Sequence, residues 1–120
     1  MRYMFLIVSS EQVRNELHQG AGDELTAAYI RYTEELKKAG VYLDGNPLQP
    51  TSRGAIVTAP GGKRTVVDGP FAEAKEVIGG YYLIEAKSRE EAIEWAARCP
   101  AARYAPRSHV ELREVQEIPT

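Results

Sequence analysis

Tyr3 to Val8 is an unbroken apolar run, YMFLIV, with aromatic or aliphatic side chains at both odd and even positions. Successive side chains of a strand point to opposite faces, so a strand of this composition has to be covered on both. The run is far shorter than the ~20 apolar residues that a bilayer-spanning helix needs. It begins almost at once and ends in Ser9-Ser10, without the length or cleavage site of a secretory leader. It reads as the central strand of a sheet, around which the rest of the chain must be arranged.

Two helical patterns follow from spacing. Leu25, Ala28, Tyr29, Tyr32, Leu36 and Ala39 recur at steps of three and four, with Arg31, Glu34, Glu35, Lys37 and Lys38 on the other side. Asp23 is a candidate cap for this helix, and Gly40 suits the left-handed position after it. Ser88 with Glu91 forms a capping box that opens a second helix, with Ala92, Ile93, Ala96 and Ala97 inward and Pro100 as its stop. A shorter helix begun by Ser10, with Val13 and Leu17 four apart, precedes Gly20 and Gly22.

Extended structure resumes at Val41 to Leu43 and is expected to break at the turn formers Asp44-Gly45-Asn46-Pro47. Ala55–Ala59 and Thr65–Asp68 flank Pro60-Gly61-Gly62-Lys63 as a β-hairpin. Tyr81–Ala86 and His109–Val115 complete the strands. The order is that of an α+β, ferredoxin-like βαββαβ fold, a single domain over residues 1–120 with two helices on one face of a mainly antiparallel sheet.

The 15 basic and 17 acidic residues are mixed along the chain and leave a net charge of -2. No basic stripe offers a phosphate backbone its counterions, so no direct nucleic-acid partner is expected, and no membrane partner either. Cys99 is the sole cysteine, which excludes an internal disulfide and suits a reducing, cytoplasmic setting. No metal or other cofactor is expected, because no H-x-x-x-H or C-x-x-C spacing is present. Gly61-Gly62-Lys63 is followed by Arg64 and lacks the context of a phosphate loop.

Tyr81 and Leu83 face opposite to Tyr82 and Ile84, so the sheet is apolar on the side away from the helices as well. A second copy packed sheet to sheet across a two-fold axis covers such a face. The alternative is that the long region between the second and third strands folds over it.

Chemistry can sit in two places. On the last strand Val110 and Leu112 share one side, which sends His109, Glu111 and Arg113 to the other. These three either line a cavity or form a Glu111–Arg113 ion pair near a sheet edge with His109 exposed. Asp68 ends a hairpin strand beside Gly69, Pro70 and Phe71, ahead of Glu73, Lys75 and Glu76. Asp68 either ties the turn, with Pro70 stiffening it and Phe71 plugging the core, or acts as a general base with Lys75 as its charge partner. Cys99 is a poor nucleophile at the C-terminal end of a helix, where the dipole disfavours a thiolate. His18 reads as a surface residue.

RYMFLIV, ELKKAGVYLDGNPLQP, VVDGPFAEAKEVIGGYYLIEAKS, EEAIEWAARCP and VELREV together resemble the DGPF branch of the YCII-related family, over nearly the whole chain. The resemblance implies a dimeric α/β barrel of ferredoxin-like units. In YCII-type relatives a histidine of the first helix, paired with an aspartate, serves as the proposed acid–base site. Here Ala27-Ala28-Tyr29-Ile30 holds no histidine, so that dyad does not carry over. The branch motif does: Asp68, Gly69, Pro70, Phe71, Glu73, Lys75 and Glu76, with Glu111 and Arg113.

Two functions compete at this point. One is a small-molecule site in a homodimer cleft, with Asp68 as base, Lys75 and Arg113 holding an anionic or phenolic ligand, and Tyr82 or Tyr81 as an aromatic wall. The other is a non-catalytic accessory protein. Relatives of this branch are similar to proteins encoded beside, or fused to, extracytoplasmic-function sigma factors, and the resemblance thereby suggests a sigma factor as a regulatory partner.

Overall fold

A computed structural model describes residues 1–20, 22–71 and 74–119, without the side chains of residues 18–20, 22 and 23. Glu73, the His18 side chain and the Asp23 cap lie outside the described residues.

The apolar run becomes β1 (Arg2–Ser9), central in the sheet as its composition requires. Ser10 opens α1 (Glu11–Gly20), its hydroxyl accepting from the Val13 amide at 3.0 Å. Next come α2 (Gly22–Lys38), β2 (Tyr42–Pro47), the hairpin strands β3 (Ala55–Thr58) and β4 (Thr65–Asp68), and β5 (Val77–Glu85). The chain closes with α3 (Arg89–Arg98) and β6 (Ser108–Glu114). Among the described residues four strands form one antiparallel sheet in the order β2-β5-β1-β6, and β3 pairs only with β4 in a second, two-stranded sheet. The four-stranded order is that of the ferredoxin-like fold, with three helices instead of two.

The core follows the register. Tyr3, Phe5, Tyr82 and Ile84 leave the sheet on one side and meet Tyr32 and Leu36 of α2 and Ala92 of α3. Tyr32 and Tyr82 stand edge to face with ring centres 5.3 Å apart, an arrangement favoured by the ring quadrupoles. The Tyr32 hydroxyl donates to the Trp95 carbonyl at 2.7 Å, which ties α2 to α3. Val110 and Leu112 pack beneath this cluster, while His109, Glu111 and Arg113 are exposed on the other side of β6, as period two requires.

Three local expectations are corrected. Asp44-Gly45-Asn46-Pro47 does not end β2: these residues pair with β5 after a register shift between Tyr42 and Asp44. The edge position tolerates Pro47, and Gly45 admits the Tyr82 ring against its backbone. The strand expected over Tyr81–Ala86 begins earlier, at Val77, so that Gly79 and Gly80 lie inside β5. On α3 the inward stripe is Ala92, Trp95, Ala96 and Cys99, whereas Ile93 and Ala97 are exposed. The stripe turns that way because Trp95, the largest side chain of the helix, packs against the core.

The other sheet face carries Met4, Leu6, Tyr81 and Leu83, all partly buried by their neighbours. The most exposed apolar cluster is elsewhere. Every residue of β3 and β4 is exposed, including Ile56, Val57, Val66 and Val67 at 51%, 60%, 47% and 55%. The hairpin thus projects from the domain and does not fold over the sheet. Accordingly, the radius of gyration is 16.0 Å, where a compact chain of this length has about 14 Å.

Candidate functional site

A cavity of about 530 Å³ lies between α2, α1 and the helix-bearing face of the sheet. That volume is in the range of small-molecule sites, ~300–1,000 Å³. Helical periodicity builds one wall: Leu25, Tyr29, Thr33 and Lys37 fall on successive turns of α2, flanked by Thr26, Ile30 and Glu34. The sheet supplies Ile7, Tyr82 and the backbone at Gly79 and Gly80. Arg14 and Leu17 of α1 close one end, next to Ser9 and Ser108, which are partners in the β1–β6 register.

Arg14 is the notable polar group of this cavity. Its guanidinium donates to the Leu48 carbonyl, and it lies against Gly79, where a Cβ would come within 3.1 Å of Nε. Among the described residues no carboxylate forms an ion pair with it. Its charge therefore faces the cavity without a fixed counter-ion.

The hydroxyl groups have an assignable direction. Thr33 Oγ1 donates its one proton to the Tyr29 carbonyl at 2.9 Å, so Tyr82 Oη, 2.7 Å away, donates to Thr33. Burial is the main cause that raises the Tyr82 phenol pKa, and the group stays a neutral donor. Burial raises the Tyr29 phenol further, and pushes the nearby Cys99 thiol up to about 11. Cys99 is thus a packed, protonated thiol. Glu34 is the sole carboxylate among the described lining residues, it is exposed, and no histidine joins it.

Of the site residues singled out from sequence, Tyr82 and its alternative Tyr81 line this cavity and the others do not. His109 Nδ1 lies 3.8 Å from Glu76 Oε2, and Arg113 Nη1 lies 3.3 Å from Glu111 Oε2, both pairs exposed on the sheet's outer side. Lys75 is exposed. Asp68 is exposed at the end of β4, and among the described residues its carboxylate takes part in no hydrogen bond or ion pair. Phe71 is half-buried, its ring close to Gly54 and outside the main core.

The motif around Asp68 is tied to the cavity at one remove. Gly69 donates its amide to the Gly54 carbonyl at 2.9 Å, and the Phe71 amide donates to Thr51 Oγ1 at 3.3 Å. Thr51 in turn donates its amide and hydroxyl to Glu11 Oε1 at 3.0 and 3.1 Å. Glu11 begins α1, the helix that carries Arg14. The hairpin root, the Thr51 turn and the start of α1 are therefore one hydrogen-bonded unit. Sequence reasoning missed Glu11, Arg14, Thr33 and Thr51. Their only signal is a polar residue type on a loop or a mostly solvated helix.

Sequence comparison places this geometry in a family. A family model described as the YCII-related domain matches residues 1–119, so the chain belongs to the YCII-related family. It is 34% identical over 100 residues to an uncharacterized protein of Rhizobium meliloti (strain 1021), covering 80% of this chain and 77% of the relative. Among solved structures it resembles the 5-chloro-2-hydroxyhydroquinone dehydrochlorinase of Burkholderia phenoliruptrix in complex with 2,5-dihydroxybenzoquinone. The match has 19% identity and a TM-score of 0.46, over 94% of this chain and 93% of that one.

Proposed function

We propose that this protein binds a small organic anion with an aromatic or apolar body in the cavity between α2 and the sheet. The observation that carries the reading is Arg14, a guanidinium without a carboxylate partner among the described residues, at one end of a largely apolar cavity. Tyr29, Tyr82, Ile7 and Leu25 offer a planar apolar body its contact surface. Arg14 offers a carboxylate or phenolate paired N–H donors in a fixed fork.

The ligand's charge is what distinguishes this site from an ordinary apolar void. Arg14 is already anchored on Leu48, so little side-chain freedom remains to be lost when an anion arrives. Tyr82 is a neutral donor engaged with Thr33, which favours an orienting role over proton abstraction. The role is therefore binding; acid–base turnover here would fall to Glu34 at the exposed rim.

The test is a thermal-shift and calorimetric titration with 4-hydroxybenzoate and its neutral analogue 4-hydroxybenzyl alcohol. A ligand of the folded state alone raises stability by ~2.7 kcal/mol at a hundredfold excess over its dissociation constant. The acid should stabilise the protein and the alcohol should not. Equal responses to both, or none to a wider panel of aromatic and aliphatic monocarboxylates, would refute an anion site.

A further inference from the structure

The projecting hairpin is an incomplete sheet. Two strands alone are marginal in water, and both faces of this ribbon are apolar: Val57 lies opposite Val66 on one, and Ile56 opposite Val67 on the other. Among the described residues neither strand has a second neighbour.

The direction of the open edge can be worked out. Gly69 donates to the carbonyl of Gly54, its opposite number in the register, which makes that pair hydrogen-bonded. Hydrogen-bonded and open pairs alternate along an antiparallel ladder. Val67 and Thr65 therefore spend their main-chain groups on β3, while Val66 and Asp68 turn theirs outward, as does Arg64 if the ladder is continued. By period two, Arg64, Val66 and Asp68 also project their side chains to one face.

We infer that β4 is a homodimer strand, which pairs antiparallel with β4 of a second copy about a two-fold axis at Val66. On that axis Val66 meets itself, and two positions away on either side Arg64 stands opposite Asp68 of the other copy. The sequence Arg64-Thr65-Val66-Val67-Asp68 is self-complementary in this register. Centring on Val67 sets Asp68 against Val66, and centring on Thr65 sets Arg64 against Val66, each leaving a charge opposite a valine. The Val66 register alone pairs opposite charges, and it does so twice, because an isologous contact repeats every interaction. It also aligns Val57, Val66 and their two copies as one valine row across four strands.

This contact gives Asp68 a partner, which it lacks among the described residues of one chain, and it commits the exposed ribbon to a second copy over an unrelated protein. The test is sedimentation equilibrium of the full chain with charge reversals. The wild type should sediment at twice 13.3 kDa. Asp68→Arg and Arg64→Asp should each weaken the dimer at least tenfold, and the two together should return it to within about threefold of wild type. Both side chains are exposed, so the variants should keep the wild-type circular dichroism. In a separate experiment, Val66→Cys should give a covalent dimer on mild oxidation, since Cα atoms of a hydrogen-bonded pair stand ~5.5 Å apart. Ile56→Cys, on the outer strand, should not. A monomeric wild type, single reversals without effect, or a double reversal that fails to rescue would overturn the assignment.

Discussion

A Cβ on Gly69 would lie 1.8 Å from the carbonyl oxygen of Thr51. The two backbones touch where the hairpin root crosses the turn that holds the start of α1, and only hydrogen fits between them. The glycine of the Asp68-Gly69-Pro70-Phe71 motif is thus required by packing against Thr51, whatever the motif contributes to chemistry.

Gly69→Ala should therefore separate the hairpin root from the Thr51 turn. The expected cost is about 2 kcal/mol, in the range of overpacking substitutions. Chemical denaturation of the two proteins reads this directly. A midpoint unchanged from wild type would mean that the backbone yields freely at Thr51.

Glu11→Ala removes the acceptor of both Thr51 donors. Hydrogen bonds to a charged group contribute about 1.5–3 kcal/mol, and partial exposure places this pair at the lower end. The variant should lose about 1–2 kcal/mol of stability, whereas Glu11→Gln, which keeps an acceptor oxygen, should lose less. Equal losses in the two would point to the charge alone.

Tyr82→Phe deletes the donor to Thr33 Oγ1 but keeps the ring that packs on Tyr32. Thr33 retains its bond to the Tyr29 carbonyl, so no buried donor is orphaned, and the loss should be about 1 kcal/mol. A loss of several kcal/mol would show that the hydroxyl holds more of the core than this one bond.

The alkaline limb of stability should follow the buried thiol and phenols. Cys99 is raised from 9.0 to about 11, and Tyr29 and Tyr82 are raised from 10.0. The unfolded chain gives up these protons first, so above about pH 9 it binds fewer protons than the folded state, and stability falls as pH rises. The Cys99 part is fully present below pH 9.0 and is lost as pH passes about 11. The melting temperature should be insensitive to Cys99 between pH 7 and 8, and an alkylating reagent should label it only after unfolding. Rapid labelling of the native protein at pH 7.5 would contradict this burial.

Much of the fold was legible because local pattern and tertiary structure agree. The steps of α2, the Ser88 cap of α3, the hairpin around Gly61-Gly62 and the alternation of β6 were all readable from spacing. β2 was not, because its turn-forming residues become a strand through pairing with β5, which lies more than 30 residues away. The candidate site was read least well. Its cavity draws on α1, α2 and the strands β1, β2, β5 and β6, and Arg14 sits in a segment whose polarity looks like that of any solvated helix. The motif that stands out in the sequence marks a backbone junction, and reaches the cavity only through Thr51 and Glu11.

The most direct test of the central claim is calorimetric titration of 4-hydroxybenzoate into wild type, Arg14→Ala and Asp68→Asn. An anion site at Arg14 predicts saturable binding to wild type and a loss of about tenfold or more in Arg14→Ala, since each ~1.4 kcal/mol of a charged hydrogen bond is a factor of ten. It predicts unchanged affinity in Asp68→Asn, because Asp68 does not line the cavity. Full affinity in Arg14→Ala, or a loss confined to Asp68→Asn, would contradict the account and move the site to the hairpin root.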